Sequence, residues 1–204
     1  MNRTALLYAG IIFTVIISSI GLVFIPEYQL FRLEPVEAAD GNLYPQPRTE
    51  FEEAGRRVYI AMGCVYCHSQ QVRPEHFGAD IDRGWGTRRS VARDYLYDQP
   101  HQLGTMRTGP DLVNIGSRQS DDNWHYQHLY DPELTSPGST MPKFPFLFEK
   151  RTLEPGREPP FNAIRMPPGV LAENEYLLPT TDAQQLVAYL KSMRHDYAVP
   201  EAQP

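Results

Sequence analysis

The chain has 204 residues, 41% of them hydrophobic, which suits one modest globular domain with a single membrane anchor and argues against a polytopic membrane protein. Its 25 acidic and 19 basic residues give a formal charge of −6, and no basic block occurs, which argues against binding to nucleic acid. Only two cysteines are present, three positions apart, so disulfide bonds are not expected to hold the fold together.

The first predicted element is an apolar helix close to the N terminus. The stretch from Ala5 to Ile25 is uncharged, and 21 residues of helix span about 30 Å, the thickness of a hydrocarbon core. A cleaved signal peptide is the alternative interpretation, but its apolar core is usually shorter, roughly 7–15 residues. Arg3 precedes the stretch, while Glu27 and Glu34 follow it. Residues 1–25 are therefore predicted to be a cytoplasmic tail and a transmembrane anchor, with the rest of the chain outside.

The residues after the anchor divide into a linker and a domain. Residues 26–48 are rich in Pro and Glu and are predicted to be the linker, and residues 49–204 form the domain. The domain opens with a predicted helix from Glu50 to Met62, because Thr49 can cap its first turn and apolar residues recur at helical spacing. Gly55 leaves a gap in the surface of this helix that another helix can enter.

The remainder of the domain is rich in loops, and the expected fold is mainly α. Two further helices are predicted, one capped by Ser120 or Asp121 and ending at Tyr130, the other capped by Thr181 or Asp182 and ending near His195. The proline-rich stretch at about 149–179 is predicted to be an irregular insertion.

The two cysteines belong to Cys64-Val-Tyr-Cys67-His68, which has the spacing of a haem-attachment motif. Two thiols three residues apart can each add to one vinyl group on the same edge of a porphyrin. His68 then lies beneath the iron and becomes its proximal ligand. A thioredoxin-like motif would need a βαβ pattern around it, and a zinc site would need further ligands at suitable spacing. The sequence therefore predicts one covalent haem c.

The sixth ligand of the iron is a separate question. Of the six methionines, Met106, Met141 and Met166 remain as candidates, because the others lie at the membrane, too close to Cys64, or on the packing face of the last helix. Prolines stiffen the chain around Met141, and Met166 is also followed by prolines, so proline context favours Met141 only modestly. His/Met ligation fills both axial positions and raises the reduction potential relative to two histidines, which suits an electron carrier without a catalytic site of its own.

The segment Gly109-Pro110-Asp111-Leu112 resembles the turn that follows the attachment motif in class I cytochromes c. This resemblance implies a class I cytochrome c domain, in which the carbonyl oxygen of Pro110 holds the imidazole of His68. A hydrogen bond of this kind fixes the orientation of a ligating ring.

A narrower resemblance rests on several motifs that occur in a fixed order. They are GRRVYI at 55–60, CVYCHSQ at 64–70, RP at 73–74, RTGPDL at 107–112, WH and HL within 124–129, and MP at 141–142. The series resembles the mono-haem subunit (subunit II) of cbb-type haem–copper oxygen reductases. The resemblance covers about residues 51–148 and the N-terminal anchor, and it supports Met141 as the sixth ligand.

That resemblance implies a function in bacterial respiration. The protein would sit in the bacterial inner membrane with its haem domain facing the periplasm. It would pass electrons from a companion cytochrome c subunit to the catalytic haem–copper oxidase subunit, which reduces O₂. A membrane-tethered cytochrome c shuttle and the mono-haem subunit of a quinol-oxidising complex are the alternatives. Leu103 and the long stretch at 149–179 depart from the family pattern.

For several other residues the sequence gives weaker evidence of a contact with the haem. Arg73 and Arg107 could pair with the haem propionates, because a guanidinium suits a carboxylate, or they could be solvated surface arginines. Trp85, Trp124 and Tyr66 could line the haem pocket or could be ordinary core aromatics.

Overall fold

The computed structural model describes residues 3–202, and these are mainly helical, as predicted. The helices are α1 (Arg3–Ser19), α2 (Ile25–Phe31), α3 (Glu50–Ala61), α4 (Ile115–Arg118), α5 (Asp122–Tyr130) and α6 (Thr181–Ser192). The strands are β1 (Val36–Glu37), β2 (Leu43–Tyr44), β3 (Phe148–Thr152) and β4 (Glu175–Pro179). Backbone contacts divide the chain into two units. The first contains residues up to Gln46 and Val91–Asp98, and the second contains Pro47–Ser90 and the chain from Gln99 onward.

The first unit contains the apolar N-terminal helix. Helix α1, a π-helical turn at Ile20–Phe24 and α2 follow one another without a break, giving 29 helical residues from Arg3 to Phe31. The helix extends beyond the predicted end at Ile25, and Pro26 lies in the first turn of α2, directly after the π-helical turn. With a mean hydropathy of 2.4 over its most apolar window, the helix is long and apolar enough to cross a membrane.

The linker forms a small β-ladder in the same unit. Strands β1 and β2 are antiparallel, with Val36 opposite Tyr44. Asp40 closes the turn between them by accepting hydrogen bonds from Asn42 and from the Tyr44 hydroxyl, and these bonds hold the pKa of its carboxyl below the ordinary value. The side chain of Arg93 donates to the carbonyl of Glu34, so residues 91–98 lie with the linker, although the sequence prediction assigns them to the domain.

The second unit is built on the crossing of α3 and α6. Thr49 caps α3 as predicted: its hydroxyl accepts from Glu52 N at 3.3 Å, and the Glu52 carboxylate accepts from Thr49 N at 2.7 Å. The predicted gap at Gly55 is also confirmed, because a Cβ placed there would lie 1.8 Å from the carbonyl oxygen of Gln185 in α6. The two helices can therefore cross at this point only because residue 55 is glycine.

Helix α6 differs slightly from its prediction. Its cap is Thr180, whose hydroxyl accepts from Ala183 N at 3.3 Å, rather than Thr181 or Asp182. The helix ends at Ser192, because Met193 is extended and its carbonyl accepts from Gly116 N at 3.2 Å. Helix α5 is capped by Asp121, one of the two predicted caps. The apolar faces of these helices enclose a core that includes Tyr59, Ile115, Leu129, Leu147, Leu177, Leu186, Val187 and Tyr189.

The stretch at 149–179 is not wholly irregular, which corrects the sequence prediction. Strands β3 and β4 pair antiparallel from Phe148 opposite Pro179 to Thr152 opposite Glu175. The long loop between them returns to the domain at Arg165, whose backbone N and O pair with the Asn123 side chain of α5 at 2.8 and 3.1 Å. The hairpin therefore closes against the helix that forms one wall of the site described next.

A Cys-x-x-Cys-His turn at an apolar cavity

The predicted attachment motif lies directly after the C-terminal end of α3. Gly63 ends the helix with a φ of 70°, in the left-handed region that favours glycine. A single 3₁₀ turn at Cys64–Tyr66 follows, and Cys67 N and His68 N both donate to the carbonyl of Cys64, at 3.1 and 3.0 Å. This turn places both cysteine side chains and His68 in the lining of one cavity. Burial raises the pKa of the Cys64 thiol to about 11.

His68 is held from its Nδ1 side by the segment that follows Arg107. Its Nδ1 lies 2.8 Å from the carbonyl oxygen of Pro110, and since a carbonyl only accepts, Nδ1 carries the proton. Gly109 packs so closely that a Cβ there would lie 2.3 Å from His68 Cε1. Burial lowers the pKa of His68, so the ring is neutral and the lone pair lies on Nε2. A neutral imidazole oriented in this way is the form that binds a metal.

The cavity itself has a volume of about 650 Å³. Apolar side chains from four parts of the domain line it, including Leu112, Ile115, Leu129, Phe144, Leu186 and Leu190. A volume of this size lies within the range of small-molecule and cofactor sites, about 300–1,000 Å³. The cavity is therefore suited to a large, flat, mainly apolar group.

Of the three methionines that the sequence leaves open, the structure brings one to the cavity. Met141 lines it and packs against the core, with its backbone N donating to Ser139 Oγ at 3.2 Å. Met166 packs against the core without lining the cavity, and Met106 is 59% exposed. Met141 is therefore the one of these three candidates that shares a cavity with His68, and Met62, two residues before Cys64, also lines it.

Helix α5 supplies a wall of aromatic rings. Trp124, His125 and His128 all line the cavity, so Trp124 is found where the pocket interpretation placed it. The ring of His128 stacks on Trp124 with centroids 4.8 Å apart, and its Nδ1 lies 2.6 Å from Thr135 Oγ1. Burial, together with the nearby histidines, lowers the pKa of His128 to about 4, so this wall is uncharged at neutral pH. Trp85 and Tyr66 do not line the cavity.

Arg73 and Arg107, for which the sequence leaves a haem role and a surface role open, do not line the cavity. The guanidinium of Arg107 is bound to Asp80 instead, and that of Arg73 lies over the ring of Phe77, 5.8 Å from its centroid. The arginine that does line the cavity is Arg118 at the end of α4. Its Nη2 donates to the backbone carbonyl of Asp111, while its buried Nε has no hydrogen-bond partner. No sequence motif marked Arg118, because its position depends on how α4 packs.

Taken together, the described elements define a class of protein: an N-terminal helix long enough to cross a membrane, and a helical domain that holds a Cys-x-x-Cys-His turn at an apolar cavity. The family model described as cytochrome c oxidase, mono-heme subunit/FixO matches residues 1–166. The chain belongs to this family, which confirms the resemblance found in the sequence. No curated protein sequence matches the chain. Strand β4 and helix α6 lie beyond the matched residues, yet Leu186 and Leu190 of α6 help to line the cavity.

Proposed function

We propose that this protein binds one haem c covalently and is the electron-transfer subunit of a cbb-type respiratory oxidase. The observation that carries this proposal is that Cys64, Cys67, His68 and Met141 line a single cavity, with His68 already oriented by Pro110. When bound, the haem would supply a centre that accepts and releases one electron at a time.

The residues around the cavity fit such a group. Its wall is largely apolar, as the face of a porphyrin requires, while Arg118 contributes a buried Nε–H without a partner. A guanidinium with a free donor suits a propionate carboxylate. In this proposal Arg118 takes the role that the sequence suggested for Arg73 and Arg107.

The attachment turn would supply the covalent bonds and the first ligand. Cys64 and Cys67 would each add an S–H across one vinyl group, so that a carbon–sulfur bond forms and the hydrogen moves to the neighbouring carbon. His68 would offer its Nε2 lone pair to the iron, and the hydrogen bond from Nδ1 to Pro110 would keep the ring from rotating.

Met141 would offer its thioether to the iron as a second ligand beside His68. With both residues bound to the iron, no position would remain for a substrate, which favours an electron carrier over an enzyme. A matched pair of variants tests this assignment. We expect Met141→Leu to keep its haem but lose the weak red-end absorption of a methionine–iron bond, while Met166→Leu keeps the band. Loss of the band in Met166→Leu alone would move the ligand to Met166.

The partners and the location proposed here rest on the family. The protein would be anchored in the bacterial inner membrane by the apolar helix from Arg3 to Phe31, with its domain in the periplasm. It would receive electrons from a companion cytochrome c subunit and pass them to the catalytic haem–copper subunit.

Affinity purification of the tagged full chain in mild detergent tests this assembly. We expect stoichiometric co-purification with a large haem–copper subunit and a second cytochrome c. Purification as a single haem-loaded chain would favour the tethered shuttle instead. Co-purification with haem b or iron–sulfur proteins would favour a quinol-oxidising complex.

A further inference from the structure

A compact group of polar residues lies behind His68, outside the cavity. Arg107, Asp80, Asp111 and Ser69 form it, and we call it the proximal charge cluster. The carboxylates are almost fully buried, since Asp80 is 1% exposed and Asp111 is 0% exposed. The side chain of Arg107 is 13% exposed, and the ring of Trp85 lies 5.2 Å from its guanidinium carbon. Charges this deeply buried are weakly screened by water.

All three guanidinium nitrogens of Arg107 make contacts in or beside this cluster. Its Nη1 pairs with Asp80 Oδ1 at 2.5 Å, and its Nε donates to Ser69 Oγ at 2.7 Å. Its Nη2 donates to the carbonyl of Gln71 at 2.6 Å and lies 3.6 Å from Asp111 Oδ2. Burial on its own would raise the pKa of Asp80, but the hydrogen bonds from Arg107 and from Arg73 N outweigh it, so this carboxyl is ionised at neutral pH.

Asp111 connects the cluster to the chain that follows His68. Its Oδ2 accepts from Ser69 Oγ at 2.6 Å and from Gln71 N at 2.7 Å. It also follows Pro110, whose carbonyl accepts from His68 Nδ1. The backbones on either side of His68 are tied as well, because Gly109 N donates to the carbonyl of Cys67 at 3.0 Å and Leu112 N to that of Ser69 at 2.9 Å. These hydrogen bonds hold the cluster beside His68, so the electrostatic field of its charges acts on the site.

We propose that the proximal charge cluster sets the reduction potential of the site, with Arg107 raising it and Asp80 lowering it. This inference rests on the proposed function. A carboxylate stabilises the more positive, oxidised form of a nearby redox centre, and a guanidinium stabilises the reduced form. The cluster offers both signs of charge in one buried group, so the two residues act in opposite directions. Arg107 is in addition a positioning residue, because it holds Asp111 and Ser69 beside His68.

Redox titration of the full haem-loaded chain in detergent at pH 8 tests this proposal. At the wild-type midpoint potential, we expect Arg107→Gln to lower the ratio of reduced to oxidised protein by on the order of tenfold. A tenfold change corresponds to a shift of about 59 mV for a one-electron couple. Asp80→Asn should raise the ratio by a similar factor. Arg107→Lys, which keeps the charge but not all of the guanidinium contacts, should lower the ratio less than Arg107→Gln does.

The double variant separates charge from structural damage. Arg107→Gln combined with Asp80→Asn restores the sum of charges, so its ratio should return to within about threefold of the wild type. Arg151→Gln and Glu149→Gln are matched controls, because they make the same charge changes in an exposed ion pair on β3. These controls should shift the ratio less than about twofold, since exposed charges are well screened.

Several outcomes would overturn the inference. Shifts of the same sign in Arg107→Gln and Asp80→Asn, or shifts no larger than those of the controls, would remove the electrostatic role. Loss of haem from every cluster variant, with haem retained in the controls, would assign the cluster to folding instead. A wild-type chain without haem would instead overturn the proposed function, and a mass measurement distinguishes that case.

Discussion

A chain in which serine replaces both Cys64 and Cys67 is expected to lose all covalently bound haem. A serine hydroxyl does not add to a vinyl group under the conditions in which a thiol does, so no link to the chain can form. The emptied cavity of about 650 Å³ would be lined by apolar side chains. Side chains that line an unfilled space lose packing contacts, and the loss of stability grows with the volume of that space. We therefore expect the second unit to lose its fixed packing as well.

Mass spectrometry of the denatured chain, together with a haem stain on a denaturing gel, measures this loss. Production must use a host that can attach haem to such motifs. Each single variant, Cys64→Ser or Cys67→Ser, is the matched control, because one remaining thiol can still hold the haem through one bond. Retention of the added mass in the double variant, or a colourless wild-type chain, would contradict covalent attachment through this turn.

Valine in place of Gly55 is expected to destabilise the second unit by at least about 3 kcal/mol. A Cβ at this position lies 1.8 Å from the Gln185 carbonyl oxygen and 2.9 Å from Tyr189 Cβ, so α6 must move away from α3. Removing a glycine from a helix gains only about 0.5–1 kcal/mol, which cannot offset a backbone clash. Because α6 also lines the cavity, the shift would loosen the cavity wall.

Denaturant unfolding of the haem-loaded chain, followed by circular dichroism, measures the change in free energy. Arg57→Val is the matched control, since Arg57 is exposed on the same helix and gains the same side chain. We expect that variant to stay within about 0.5 kcal/mol of the wild type. Equal stability of the two valine variants would show that the helices do not depend on this close approach.

Much of the site could be predicted because its parts are local in the sequence. The Cys-x-x-Cys-His spacing is formed by a single turn, and Thr49, Glu52 and Gly63 fix the helix before it through contacts within a few residues. The hydrogen bond between His68 and Pro110 spans 42 residues, and only the resemblance to a known family indicated it. The spacing of the motif therefore predicts the residues of the turn, while the partner of its histidine follows from the resemblance to class I cytochromes c.

The arginines show where such prediction ends. Arg107 belongs to the RTGPDL motif and Arg118 to no motif, yet nothing in the residues around them predicts which of the two reaches the cavity. Asp80, which is 27 residues from Arg107 in sequence, decides the outcome by pairing with its guanidinium. Arg118 reaches the cavity because α4 packs against α6. The role of an arginine thus depends on a distant carboxylate that the sequence does not mark.

The β3–β4 hairpin was missed for a related reason. Strand β3 reads FEKRT, and apart from Phe148 its residues are exposed, so it lacks the alternation that indicates a half-buried strand. Its partner β4 lies 22 residues further on, beyond the reach of any turn signal. The hairpin is defined by backbone hydrogen bonds between its strands, and no hydrophobic pattern in the sequence predicts it.

The loop of the same hairpin offers a place at which the protein can be labelled. Its loop is fixed at one end by the strands and at the other by the Asn123–Arg165 pairing, whereas residues 154–162 are exposed throughout. Gly156 lies in this exposed stretch, and a Cβ placed there would have no other atom within 4 Å. A fluorescent reporter or an antibody epitope inserted after Arg157 would therefore be attached to a loop that is anchored at both ends and does not line the cavity. Such a label could serve to orient the subunit in images of a whole respiratory complex.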